Sequence, residues 1–290
     1  MKQYGFGVDI GGTTCKIGLF EMSGSLLEKW EIPTNTENGG AAILDDVAEA
    51  VLGKMKQKKL TEADVQGIGL GVPGPVGRDG TVFRGVHLGW DVSNVEKELG
   101  GKTGLCVKAG NDANVAALGE MWQGGGRGHE NVVMVTLGTG VGGGIIIDGK
   151  IVSGFHGAGG EIGHIKMKDQ ESGTCGCGGH GCLEQYASAT GIVRLAKERL
   201  ACKDTDSELS SVEDLTAKAV FDAARDGDET AKELVDELCT MLGTALANIA
   251  AVVDPEIFVI GGGVSRAGEI LLNGIREHYE EKAFHACRTT

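Results

Sequence analysis

Three cysteines in the spacing Cys175-x-Cys177-x4-Cys182, with His164 eleven residues ahead of the first, place a complete ligand set for a closed tetrahedral zinc site in one short stretch. Three thiolates and one imidazole leave no open coordination position, so the task of such a site is to fold a loop. The plainer reading is three free thiols. The spacing and the intervening glycines favour the metal. His180 lies inside the same loop and competes with His164 for the fourth position. Polar groups gather around this loop. Glu161 and His164 flank a glycine-rich turn, Glu184 follows the loop, and Asn111-Asp112 opens a helix further upstream. Carboxylates, an amide and an imidazole supply the donors and acceptors that a polyhydroxylated ligand requires. One carboxylate must also take the proton of an attacking hydroxyl. Singly, each residue reads as a cap or a surface charge; together they read as a site.

Three glycine turns form the second group. Asp9-Ile10-Gly11-Gly12-Thr13-Thr14 presents backbone N–H groups and hydroxyls to a phosphate, with Asp9 placed to hold Mg2+ through water. Leu137 to Gly144 contains a formal GxGxxG at Gly138, Gly140 and Gly143. A dinucleotide fingerprint needs a helix straight after the glycines. Here Ile145-Ile146-Ile147 continues as strand, so that reading fails and a second phosphate-holding hairpin takes its place. Phe258 to Ser265 is a strand opening onto Gly261-Gly262-Gly263, where a flat base or ribose can lie against backbone without side chains. Taken alone, this third turn is an ordinary strand-to-helix connection.

The elements that must position these groups alternate between strand and helix. Strands are expected at 4–10, 16–20, 65–72, 132–137, 141–147 and 257–260, and helices at 41–55, 111–122, 190–201, 212–225 and 228–252. Pro73-Gly74-Pro75 ends one strand, Asp254-Pro255 ends the long helix, and Ser265 is expected to cap a final helix. The motif of apolar strand, Gly-Thr turn and apolar strand occurs twice, which points to an internal duplication with one copy per domain. The fold class is therefore α/β, with domains expected at 1–112 and 113–290.

Composition narrows the partners. A net charge of −14 repels phosphate backbones and anionic lipids, so nucleic acid and membrane are excluded as partners. The start of the chain does not read as a signal peptide, and no apolar stretch reads as long enough to span a bilayer. Eight cysteines without a secretory signal point to a reducing, cytoplasmic setting. Glycine is over-represented at 50 residues, without the Gly-X-Y period of collagen, and clusters after apolar runs as tight turns do.

From about residue 4 to 280 the sequence resembles the ROK family of sugar kinases and sugar-responsive repressors, and within it the bacterial glucokinases. The most specific match is Gly159-Gly160-Glu161-Ile162-Gly163-His164 followed by Cys175 to Glu184. The resemblance implies an actin-like (ribonuclease H-like) duplicated fold of two domains with a cleft between them. It implies ATP and Mg2+ handled by Asp9, Gly11, Gly12, Thr13, Thr14 and Lys16 with Thr139 and Gly140, and adenosine beside Gly262, Gly263 and Val264. Glucose or a related hexose would be held by Gly74, Asn111, Asp112, Glu161, His164 and Glu184, with Asp112 as the catalytic base. Structural zinc would sit on His164, Cys175, Cys177 and Cys182, and the assembly would be a homodimer or homotetramer.

The sequence departs from the family where His87 stands in place of the usual Asn, and family members run further, with a terminal helix that packs back on the N-terminal domain. A repressor of this family would need a DNA-binding helix-turn-helix ahead of the first turn, for which the sequence is expected to leave no room. A catalytically dead sugar-binding module is opposed by the retention of Asp9, Asp112 and both turns.

Overall fold

A computed structural model describes residues 2–83, 88–202 and 206–290. The chain forms two compact units, Met1–Gly119 with Val152–Gly159, and Glu120–Ile151 with Gly160–Thr290. His87 lies outside the described residues.

The first unit is built on five strands. β1 (Tyr4–Ile10), β2 (Thr14–Glu21) and β3 (Leu26–Pro33) form an antiparallel meander, while β4 (Val65–Val72) and β7 (Val107–Asn111) run parallel to β1, in the order β3-β2-β1-β4-β7. A short ribbon, β5 (Thr81–Val82) with β6 (Ser93–Asn94), stands beside this sheet. After a helical turn, α1 (Glu37–Gly40), the crossover to β4 is α2 (Ile43–Lys58), and the crossover to β7 is α3 (Val95–Thr103). Ile43, Leu44, Val47, Ala48, Val51 and Met55 recur at helical spacing and are buried, which is why this stretch folds as a helix over the sheet. Each such large side chain contributes about 1.5–3 kcal/mol through burial. The helix α4 (Asp112–Gln123) follows β7 without a loop.

The second unit repeats the pattern. β8 (Val132–Leu137), β9 (Val141–Ile147) and β10 (Lys150–Ile151) form the meander and β11 (Ile257–Gly261) lies parallel to β8, in the order β10-β9-β8-β11. Between the meander and β11 come α5 (Glu184–Ala187), α6 (Ala189–Leu200), α7 (Ala217–Asp226) and α8 (Glu229–Val253); α9 (Glu269–Lys282) follows β11. The recurring meander-then-parallel-strand order is the duplication expected from the two Gly-Thr turns.

Two expectations need correction. α8 is long and apolar enough, by length and composition, to cross a membrane, contrary to the sequence reading. Its Leu234, Leu238, Leu242, Leu246 and Ile249 are instead buried in the second core against α5, α6, α7 and α9, as in the central helix of a packed domain. Ser265 does not cap the last helix. Its hydroxyl donates to the carbonyl of Gly262 at 2.7 Å, closing the turn after β11, and α9 begins only at Glu269 behind Gly268.

Candidate active site

Four ligand atoms come together in the second unit. The donor atoms of His164, Cys175, Cys177 and Cys182 all lie within 4.8 Å of one another. The Cys177 and Cys182 sulfurs are 3.7 Å apart, and the Cys175 sulfur is 3.6 Å from His164 Nδ1. A zinc–sulfur bond of about 2.3 Å gives a tetrahedral edge of about 3.8 Å, so the residues fit the ion expected from the sequence. Burial pushes the Cys175 thiol up to about 12, while the Gly179 N–H holds the Cys177 thiol below its ordinary value, so Cys175 would ligate as a thiolate only with a cation beside it. His180 is not in the cluster; its Nδ1 lies 3.0 Å from the carbonyl of Gly173. The loop has its own frame, in which Cys175 N–H bonds the Gly179 carbonyl, Gly178 N–H bonds the Cys175 carbonyl, and isolated bridges pair Thr174 with His180 and Cys182 with Lys166.

The same loop reaches the turn between β8 and β9 through Glu184. One Glu184 oxygen accepts the Val141 N–H at 3.0 Å, and the other lies 3.6 Å from the Cys175 sulfur. The 160–164 turn also packs on β9 backbone to backbone. A Cβ on Gly163 would stand 2.1 Å from the carbonyl of Val141, which is why no side chain is tolerated there. Glu161 precedes the short 3-10 turn of Ile162–His164, and its carboxylate lies 4.0 Å from His164 Nε2. The imidazole thus turns Nδ1 to the Cys175 sulfur and Nε2 to Glu161, the division of labour expected of a ligating histidine that also orients a neighbour.

Both Gly-Thr turns expose donors. Between β1 and β2, Gly11 N–H bonds Thr14, while the N–H groups of Gly12 and Thr13 meet no acceptor among the described residues. Between β8 and β9, Gly138 N–H bonds Gly140, while the N–H groups of Thr139 and Gly140 likewise meet none. Two successive free amides in a turn are the donor arrangement that anion-binding nests use. Lys16 on β2 lies 3.9 Å from the Asp9 carboxylate, so a cation and an anion stand together beside the first turn. The third turn is closed by geometry. Gly262 has φ +86°, and a Cβ there would lie 2.4 Å from the carbonyl of Leu137. Val264 buries its side chain in the core, so what this turn offers a ligand is backbone. Gly262→Ala is expected to lower the chemical-denaturation stability by at least the ~1–2 kcal/mol of a left-handed alanine. Urea unfolding of the variant beside the wild type checks this.

In the first unit, Asn111 and Asp112 stand at the junction of β7 and α4. Asn111 Oδ1 accepts the N–H groups of Ala113 and Asn114 at 3.0 and 3.2 Å, capping the helix, and its Nδ2 donates to the carbonyl of Gly74 at 3.2 Å. This ties the Pro73-Gly74-Pro75 turn, with Gly74 at φ +96°, to the start of α4. Asp9 and Asp112 flank Gly71 on the strand between them: a Cβ on Gly71 would lie 3.8 Å from the Asp9 carboxylate and 3.7 Å from the Asp112 Cα. Asp112 keeps a solvent-accessible surface, yet surrounding protein desolvates its carboxyl and raises its pKa above the ordinary carboxylate value. The Ala113 N–H pulls the other way and the charge of Asp9 adds to the rise. Crowding decides the sign, because ionisation responds to protein several ångströms away as well as to contact with water.

Two anchoring residues escaped the sequence reading. The Thr34 hydroxyl donates to the carbonyl of Gly11, and the Thr190 hydroxyl donates to the carbonyl of Thr139, both at 2.7 Å. Nothing in their local sequence marks them, since each acts on a turn far away in the chain. Asn114 was missed as well. It is buried, reaches the carbonyl of Gly159 at 3.5 Å, and has no partner for its Oδ1 among the described residues.

A duplicated sheet pattern, each copy opening a glycine turn, and a loop that gathers a Cys3His donor set define the class as an actin-like α/β fold of the sugar-kinase type. Residues 5–290 match the ROK family, and the chain belongs to it. A glucokinase of Halalkalibacterium halodurans is 45% identical over 282 residues, covering 96% of this chain and 85% of that protein. A ROK family glucokinase from Streptomyces griseus, solved in complex with glucose and AMPPNP, superposes with a TM-score of 0.76 at 36% identity and covers 96% of this chain and 89% of its own. A ROK family transcriptional regulator, a homologue of the E. coli MLC protein, superposes with a TM-score of 0.85 at 27% identity, covering 99% of this chain but 72% of its own.

Proposed function

We propose that this sugar kinase transfers the γ-phosphoryl group of ATP to a hexose, glucose foremost, in the cytoplasm. The observation that carries the reading is the pair of glycine turns, each offering two successive backbone N–H groups with no acceptor among the described residues. Phosphoryl transfer needs positioning and charge neutralisation more than covalent chemistry, and this is what such turns provide. The glucokinase relatives and the glucose- and AMPPNP-bound neighbour supply the substrate pair.

In this reading Gly11, Gly12, Thr13, Thr14 and Lys16 with Thr139 and Gly140 grip the phosphates, and the backbone of Gly262, Gly263 and Val264 lies beside adenosine. Mg2+, placed by Asp9, would neutralise charge on the phosphates. Gly74, Asn111, Glu161, His164 and Glu184 orient the sugar. Asp112 accepts the proton of the attacking 6-hydroxyl as its oxygen bonds the γ-phosphorus and the bond to ADP breaks. Zinc on His164, Cys175, Cys177 and Cys182 fixes the loop that carries three of the sugar contacts. The proposed assembly is a homodimer or homotetramer.

A panel of hexoses in an ADP-release assay tests the reading. Sugar-dependent release is expected, with the highest kcat/KM for glucose. No release with any hexose, or release indifferent to sugar, would overturn it. The net charge of −14 opposes the DNA-binding role of the family's regulators.

A further inference from the structure

The two phosphate turns are pinned by one device, built twice from unrelated segments. In the first unit, the residue after β3 does the work. Thr34 N–H bonds the carbonyl of Thr13 at 2.9 Å, and the Thr34 hydroxyl donates to the carbonyl of Gly11 at 2.7 Å. In the second unit, the start of α6 does it. Ala189 N–H bonds the carbonyl of Gly138 at 2.8 Å, and the Thr190 hydroxyl donates to the carbonyl of Thr139 at 2.7 Å. In both units a neighbouring segment takes two carbonyls of the turn, one through a peptide N–H and one through a threonine hydroxyl.

The consequence is geometric. A peptide plane fixes its carbonyl and the following N–H in opposite directions. Holding the carbonyl of Gly11 fixes the N–H of Gly12, and holding the carbonyl of Thr139 fixes the N–H of Gly140. These are two of the four amides left unbonded in the turns. Each threonine therefore aims one free amide, and without the hydroxyl the peptide is free to tip its carbonyl toward an arriving anion.

We propose that Thr34 and Thr190 are positioning residues for nucleotide phosphate, each acting through the amide that its hydroxyl aims. This rests on the reading of the two turns as phosphate sites. Neither residue needs to touch the nucleotide. Their effect belongs in ATP binding, while sugar binding is untouched.

The test compares Thr34→Val, Thr190→Val, both serine variants and Gly140→Ala. In Gly140→Ala, a Cβ would lie 2.2 Å from the Glu184 carboxylate and displace the second turn itself. Steady-state kinetics and AMPPNP titration are run on each variant. Each valine variant is expected to raise the KM for ATP and the Kd for AMPPNP about 3- to 12-fold, the net worth of one hydrogen bond. The KM for glucose should stay within about two-fold, and serine should restore ATP binding, because it keeps the hydroxyl. Thr190 is exposed, so its valine variant carries the test even if Thr34→Val does not fold. If Gly140→Ala weakens ATP binding and the valine variants do not, the inference falls alone. If no variant changes ATP binding, the phosphate reading of the turns falls and takes the inference with it. A valine variant that serine does not rescue also overturns it.

Discussion

Asp112→Asn lowers kcat by roughly 10²- to 10⁴-fold while leaving glucose affinity within about two-fold, the expected outcome for loss of a general base that keeps its shape and its hydrogen-bond acceptor. Asparagine can still accept the Ala113 N–H that bonds Asp112 Oδ1 at 2.8 Å, so the start of α4 survives the change. What is lost is the capacity to take a proton. The pH profile adds a second reading of the same group. A base acts when ionised, and desolvation raises the carboxyl above its ordinary value. Activity is therefore lost as pH falls through that raised pKa. The acid limb of kcat/KM should lie above the ~3.9 of a free aspartate and should disappear in the variant's residual activity. Near-normal turnover by Asp112→Asn, or an unchanged acid limb, would remove this residue from the role. Stopped-flow or coupled ADP-release kinetics across pH, with glucose binding measured by titration, give both quantities on one sample.

Removing the proposed zinc comes next in size. Exhaustive chelation, or Cys177→Ser, should weaken glucose binding more than about tenfold, because hydrogen bonds to charged groups such as Glu161 and Glu184 are worth about 1.5–3 kcal/mol each. Cys177 is the exposed thiol of the three, so its substitution costs little core packing. The effect should spread beyond the sugar. Glu184 sits between the Cys175 sulfur and the Val141 N–H, so a loop released from zinc also releases the end of the second phosphate turn. The second unit should stay folded, because its core is built mainly from α6, α7, α8 and α9 over β8, β9 and β11, with Ile165 and Met167 of the loop only packed against it. Zinc content by mass spectrometry, circular dichroism and sugar titration on the same preparation check all three points. A verified zinc-free protein with unchanged sugar affinity would contradict the account.

The candidate site of this chain was legible in its sequence where the signal is local. The Cys3His spacing, the two Gly-Thr turns and Asn111-Asp112 at a helix start are each short motifs, and the strands 4–10, 65–72, 132–137 and 141–147 are continuous apolar or alternating runs that fold as read. What escaped was non-local or half-exposed. β3 is an edge strand in which Glu28, Lys29 and Glu31 interrupt Leu26, Trp30 and Ile32, so one face looks like solvent. β7 is five residues long with Lys108 and Gly110 inside it, yet it is the strand that carries Asn111 to its place. Thr34 and Thr190 act across long sequence separations on carbonyls, and a carbonyl has no sequence signature. Ser265 looked like a cap because serine favours that position, but the carbonyl of Gly262 was the nearer partner.

The central claim is that the Asp112 carboxylate receives the proton of a sugar hydroxyl. A crystal structure of the protein with glucose and a non-hydrolysable ATP analogue measures this as one distance. The account predicts an Asp112 oxygen about 2.6–3.2 Å from the 6-hydroxyl, with the γ-phosphate on the far side of that oxygen. A glucose whose 6-hydroxyl lies beyond hydrogen-bond reach of Asp112, or meets another carboxylate in its place, would contradict it.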